Sequence, residues 1–181
     1  MNNKAAENRI ITLYHGSISQ FNEVDVNEGE PYKDFGRGFY TTRVYSHAKK
    51  LALRNKRIAE KDFKRNFNAY IYTFEFDLNK LKNFKVKEFK EADLEWINFI
   101  LANRKSKNRT HDYDVVIGPT ADDDTLAVIN AYFLKLYGEI GSERALSRLI
   151  EETEHEKLPE QIFFATNEAA KLLIMKGGKL I

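Results

Sequence analysis

Residues 70–77 read Tyr-Ile-Tyr-Thr-Phe-Glu-Phe-Asp, with an aromatic side chain at every second position. Successive side chains of a strand point to opposite faces, so this spacing predicts a β-strand with one well-buried aromatic face. Such a face must be covered, which commits the chain to a sheet. Further strands are expected at Ile10–Tyr14, at Phe39–Thr42, around Phe84-Lys85-Val86, over Tyr113–Pro119 and over Gln161–Ala165. Residues 43–66, 93–103, 123–137 and 142–155 carry apolar side chains at helical spacing, and Pro159 breaks the last of these runs. A short final helix is expected after Thr166 or Asn167 as cap, with Glu168 as a favourable first-turn charge. A polar loop runs from Ser17 to Lys33. Short strands mixed irregularly with helices predict an α+β fold rather than a regular parallel βαβ fold. At 181 residues the chain is about one domain long, so 1–181 is read as a single domain.

Composition removes several kinds of chemistry. The absence of cysteine excludes disulfides, thiol nucleophiles and thiolate metal sites, and leaves four scattered histidines as nitrogen ligands. No apolar run approaches the roughly 18 residues of a membrane span, and residues 1–8 lack a signal-peptide core, so a cytoplasmic protein without a membrane partner is expected. The net charge of +2 is small but unevenly placed. Residues 43–66 hold nine Lys or Arg against Glu60 and Asp62, a balance of +7, whereas residues 139–160 hold seven acids against three bases. Val44, Ala48, Leu51, Ala52, Ala59 and Phe63 recur at helical spacing through the basic stretch, so it reads as an amphipathic helix with a solvated basic face. A nucleic-acid interface through Lys49, Lys50, Arg54 and Arg57 is the lesser reading.

Two stretches have the residue types a ligand site needs. Tyr14-His15-Gly16-Ser17 stands where an apolar strand enters a polar loop. There a ring nitrogen could hold a ligand hydroxyl, and a glycine lets main chain approach a planar amide. Asp34-Phe35-Gly36-Arg37-Gly38-Phe39-Tyr40-Thr41-Thr42 runs a Gly-x-Gly turn into an aromatic strand, with a guanidinium beside Tyr40. Neither a dinucleotide fingerprint nor a phosphate loop is present, and no Gly-x-Ser-x-Gly occurs. Asp122-Asp123-Asp124 lacks the spacing of a calcium loop and reads as a solvated helix start. His47, His111 and His155 have no partner at metal-like spacing and read as surface or capping residues, so no metal site is expected.

Together, Tyr14-His15-Gly16-Ser17 and Gly36-Arg37-Gly38-Phe39-Tyr40-Thr41-Thr42 resemble the paired motifs of the ADP-ribosyltransferase superfamily, in its diphtheria-toxin and poly(ADP-ribose) polymerase branch. The chain is also similar over nearly its full length to a bacterial family of uncharacterised proteins related to that superfamily. Asp34–Thr42, Glu95–Arg104 and Asp112–Pro119 carry that likeness. The resemblance implies two packed, mainly antiparallel sheets with surrounding helices and NAD as substrate in the cleft between them. His15 would hold a ribose hydroxyl, the Gly16 main chain the carboxamide, and Tyr40 would stack on nicotinamide. Ser17, Arg37, Gly38, Thr41 and Arg43 would complete the binding residues, with both arginines on the pyrophosphate. An unknown macromolecular acceptor, a toxin-like role and an accompanying inhibitor protein belong to the same expectation.

The chain departs from that pattern twice. Where transferases end their triad with glutamate on a late strand, the third position here is Gln161; neighbouring Glu160 belongs to the opposite face. Eleven residues after Tyr40, where a second stacking tyrosine is usual, stands Leu51, with Tyr45 or Tyr32 as substitutes. Glutamine brings no charge to an oxocarbenium-like state, so a catalytically weak or inactive NAD or ADP-ribose sensor is the alternative to a transferase.

Overall fold

A computed structural model describes residues 9–121, 123–154 and 158–181. Its strands are β1 (Ile10–Ser17), β2 (Phe39–Thr42), β3 (Tyr70–Asp77), β4 (Val86–Glu88), β5 (Val115–Pro119), β6 (Glu160–Phe164) and β7 (Ile174–Leu180). The helices are α1 (Tyr45–Phe63), α2 (Leu94–Arg104), α3 (Asp123–Phe133), α4 (Glu143–Glu154) and α5 (Asn167–Ala170). The fold is α+β. The expectation of two sheets is corrected: all seven strands form one mixed sheet in the order β4-β5-β6-β2-β1-β3-β7, antiparallel except for the β4–β5 pair.

This sheet carries a core on each face, because β2 and β6 present alternate side chains to both. On one face Leu13, Phe39, Phe74, Phe76, Ile162 and Phe164 pack together beneath α5 and the 3-10 turn over Leu78–Asn83. On the other, Phe35, Val116 and Phe163 meet Trp96, Ile97 and Ile100 of α2, with Ile129 and Leu149 behind them. The aromatic face expected of β3 is found: Tyr72, Phe74 and Phe76 are buried. Asp93 caps α2 by accepting from the Trp96 amide, a contact worth about 1 kcal/mol. Thr166 does the same for α5 through Ala169.

Helix α1 buries less than its pattern predicts. Only Ala48, Ala52 and Ala59 are buried, whereas Val44, Leu51 and Phe63 are exposed, Phe63 by 67%. Three small side chains let the helix backbone lie close against β1, and a methyl at Gly16 would strike the Ala48 carbonyl oxygen. The basic stretch is accordingly exposed along most of its length. At the far edge, β7 pairs with β3 through a register shift between Thr73 and Phe74, with Gly177 at φ +139° beside the extra residue. Among the described residues no helix is long and apolar enough to cross a membrane.

Candidate functional site

β1 and β2 are neighbours in the sheet but share a single pair, Tyr14 with Thr42. Beyond it β1 continues along β3 as far as Ser17, and β2 runs along β6. The two strands therefore part into a wedge, bordered by His15, Gly16 and Ser17 on one side and Phe39 to Thr41 on the other. The sequence pattern ends β1 at Tyr14; pairing of His15, Gly16 and Ser17 with Tyr72, Ile71 and Tyr70 extends it through the first motif.

His15 closes this wedge. Its Nδ1 lies 2.7 Å from the carbonyl oxygen of Tyr40, and its ring stacks on Phe39 at 4.3 Å between centroids. Burial lowers the imidazole pKa to about 4, opposed in part by the Tyr40 carbonyl. The ring is thus neutral near pH 7. A carbonyl oxygen only accepts, so Nδ1 carries the hydrogen and Nε2 is left as an acceptor.

Tyr40 and Gln161 lie on the opposite face from the His15 ring. Tyr40 follows Phe39 in β2 and so points the other way, packing on Phe163 at 4.7 Å between centroids. Its hydroxyl donates to the Gly36 carbonyl at 2.7 Å and accepts from the Phe35 amide at 3.0 Å. Burial, and then the Asp34 carboxylate, push the phenol well above its ordinary pKa. Gln161 stands opposite Thr42 and Gly118, on the Tyr40 face. Its Nε2 donates to Asp34 Oδ2 at 3.1 Å and to the Pro119 carbonyl at 3.2 Å. The structure thus brings Tyr40 and Gln161 together around Asp34, and joins His15 to them through the main chain of Tyr40.

The remaining expected residues are held by the fold. Ser17 Oγ donates to the Ser19 carbonyl and accepts from the Ser19 amide. Thr41 Oγ1 donates to the Ile162 carbonyl at 2.9 Å. Gly38 packs so closely on β6 that a Cβ would stand 2.6 Å from a ring carbon of Phe163. Arg37 Nε donates to the Gly29 carbonyl, and Arg43 pairs with Glu160 at 3.1 Å. Of the substitute aromatics, Tyr45 meets Tyr14 edge-on at the start of α1, and Tyr32 is exposed at φ +61°.

Asp34 is the centre that sequence reasoning misses. Only 5% exposed, its Oδ1 takes Arg104 Nε at 2.7 Å and Nη2 at 2.5 Å, while Oδ2 takes the Ala121 amide at 3.0 Å as well as Gln161. Around it, Asn103 Oδ1 accepts from the Thr110 amide and Arg109 donates to the Ala165 carbonyl. His111 corrects the surface reading: half-buried, it stacks on Phe99, its Nε2 lies 2.9 Å from the Phe35 carbonyl, and its Nδ1 accepts from the Tyr113 amide. Desolvation, first among its causes, lowers its pKa below the usual value. His47 is half-buried in α1, and His155 lies outside the described residues. Of the three aspartates, Asp122 also lies outside them, and Asp123 opens α3. Among the described residues no three potential metal ligands gather. The stretches Asp34–Thr42, Glu95–Arg104 and Asp112–Pro119, far apart in sequence, meet at this one cluster.

Searches of curated proteins and of solved structures return no match to this chain. A family model described as Protein of unknown function (DUF3990) matches residues 11–175. That span takes in the wedge, the Asp34 cluster and every strand through the start of β7, and the chain belongs to that family.

Proposed function

We infer that the chain is an ADP-ribosyltransferase-like domain that takes NAD or ADP-ribose at the wedge between β1 and β2, and that binding outweighs turnover. The observation that carries this is the neutral His15 ring, fixed by the Tyr40 carbonyl with Nε2 left as an acceptor, beside the main chain of Gly16 where β1 and β2 part. An acceptor nitrogen suits a ribose hydroxyl, and a parted strand edge suits a planar carboxamide. Tyr40 fits the stacking role less well, because its hydroxyl is engaged and its ring packs on Phe163.

Cleavage of the bond between nicotinamide and ribose builds positive charge on the sugar, and a carboxylate against that charge lowers the barrier. Gln161 supplies a neutral amide instead. This favours a binding module over a transferase acting on a macromolecular acceptor. Calorimetry with NAD and with ADP-ribose tests the reading, alongside nicotinamide release from NAD. Wild type is expected to bind, His15→Ala to bind at least about tenfold more weakly, a loss of roughly 1.4 kcal/mol, and release to stay at the uncatalysed rate. Absence of binding to either ligand overturns the reading, and release by wild type that is lost in His15→Ala returns the domain to the transferases.

A further inference from the structure

Gln161 is 6% exposed, and both bonds of its side chain to the described residues are made by nitrogen. Their acceptors have no hydrogen to offer in return: one is a main-chain carbonyl, the other a carboxylate held by Arg104 and the Ala121 amide. The amide is therefore oriented with nitrogen toward Asp34 and Oε1 away from it. Gln161 shares its face with Tyr40 and Thr42, and among the described residues nothing donates to Oε1.

We propose that Asp34 is the positioning residue that dictates an amide at position 161, so that this face of the sheet, opposite the His15 ring, carries a fixed neutral oxygen acceptor instead of a carboxylate. A sugar hydroxyl as the group it meets rests on the NAD reading; the coupling between the two side chains does not. A carboxylate at 161 would replace the amide nitrogen with an oxygen about 3 Å from Asp34 Oδ2 and from the Pro119 carbonyl. Two buried carboxylates at that distance cannot both stay ionised, and one must take up a proton. Asp34 cannot turn aside, because Arg104 and Ala121 hold its other lone pairs. Among the described residues, the other charged and titratable groups around the pair are Arg104 from α2, the Tyr40 phenol from β2, and Arg109 and His111 from the segment before β5. All are common to the variants compared, so each variant is read against wild type at the same pH.

Thermal unfolding of full-length wild type, Gln161→Glu, Asp34→Asn and the double variant at pH 5.0 and 7.5 is the test. Gln161→Glu is expected to melt roughly 5–10 °C below wild type at pH 7.5, with the deficit shrinking by half or more at pH 5.0 as the pair gains a proton. In the Asp34→Asn background the same substitution should cost little at either pH, because the new amide can donate to the carboxylate. Failure of Gln161→Glu to fold at pH 7.5, with recovery at pH 5.0, is the same result in stronger form. Gln161→Met removes the same hydrogen bonds without charge, and its deficit should not change with pH. A Gln161→Glu deficit that is equal at both pH values, or that Asp34→Asn does not relieve, overturns the proposal. NAD calorimetry on wild type runs in parallel: pH-dependent coupling without NAD binding sinks the ligand reading alone, whereas binding without the coupling sinks the role of Asp34.

Discussion

The imidazole of His15 donates from Nδ1 to the main-chain oxygen of Tyr40 at 2.7 Å, a side chain of one strand satisfying the backbone of the next where the ladder between them stops. The bond fixes the tautomer. Nitrogen-detected NMR should show His15 with a protonated Nδ1 and a bare Nε2 at pH 7, staying neutral down to about pH 4. A protonated Nε2 at pH 7 would remove the acceptor on which ligand binding is argued.

The same depressed pKa has a consequence for stability. Between about pH 6.5 and 4 the unfolded chain binds a proton at His15 that the folded chain refuses. Stability is therefore fully present above pH 6.5 and falls as the pH drops toward 4, by a few kcal/mol at most from this residue. His111, also lowered, adds to the fall in the same direction. Urea unfolding at pH 7.5 and 4.5 should show a smaller acid loss in His15→Gln than in wild type; an equal loss would assign the fall elsewhere.

Gly38 cannot carry a side chain where it is. A Cβ there would stand within 2.6 Å of two ring carbons of Phe163 and 2.5 Å from the Phe164 carbonyl oxygen, so β2 would have to lift from β6. Gly38→Ala should cost at least about 2 kcal/mol in urea unfolding. Gly141→Ala is the comparison: nothing lies within 4 Å of that Cβ, and only its φ of +83° opposes the change, for about 1 kcal/mol.

Removing Arg104 strands a buried charge. Asp34 would keep the Ala121 amide and Gln161 but lose its cation, and loss of one partner from a buried pair costs about 3–5 kcal/mol. Arg104→Met should therefore unfold more easily than Asp34→Asn with Arg104→Met, although the double variant changes more. Costs that simply add would show that the pair is not coupled.

How much of this was readable beforehand depends on whether the cause was local. The alternation of β3, the Asp93 cap of α2 and the Thr166 cap of α5 are set by neighbours within a few residues, and all are visible as pattern. β7 was not, because Lys176, Gly177, Gly178 and Lys179 have little strand preference and are ordered by pairing with β3. The single sheet also escaped a local reading, since it depends on one long-range pair, Tyr14 with Thr42, joining two halves that sequence alone leaves separate. At the site, His15, Tyr40 and Gln161 stood out by their neighbours, whereas Asp34 draws its meaning from Arg104, seventy residues away. Leu51 and Phe63 share the helical spacing of α1 yet are exposed, because only the alanines of that helix are buried against the sheet, and spacing alone does not say which apolar positions are covered.

The shifted register of β7 matters beyond its own pairing. A terminal strand normally offers its outward amides and carbonyls as a template on which another chain can crystallise a further strand. Here the irregularity at residue 176 and the unusual twist of Gly177 interrupt that template midway, so an approaching backbone finds no continuous rail to zip along.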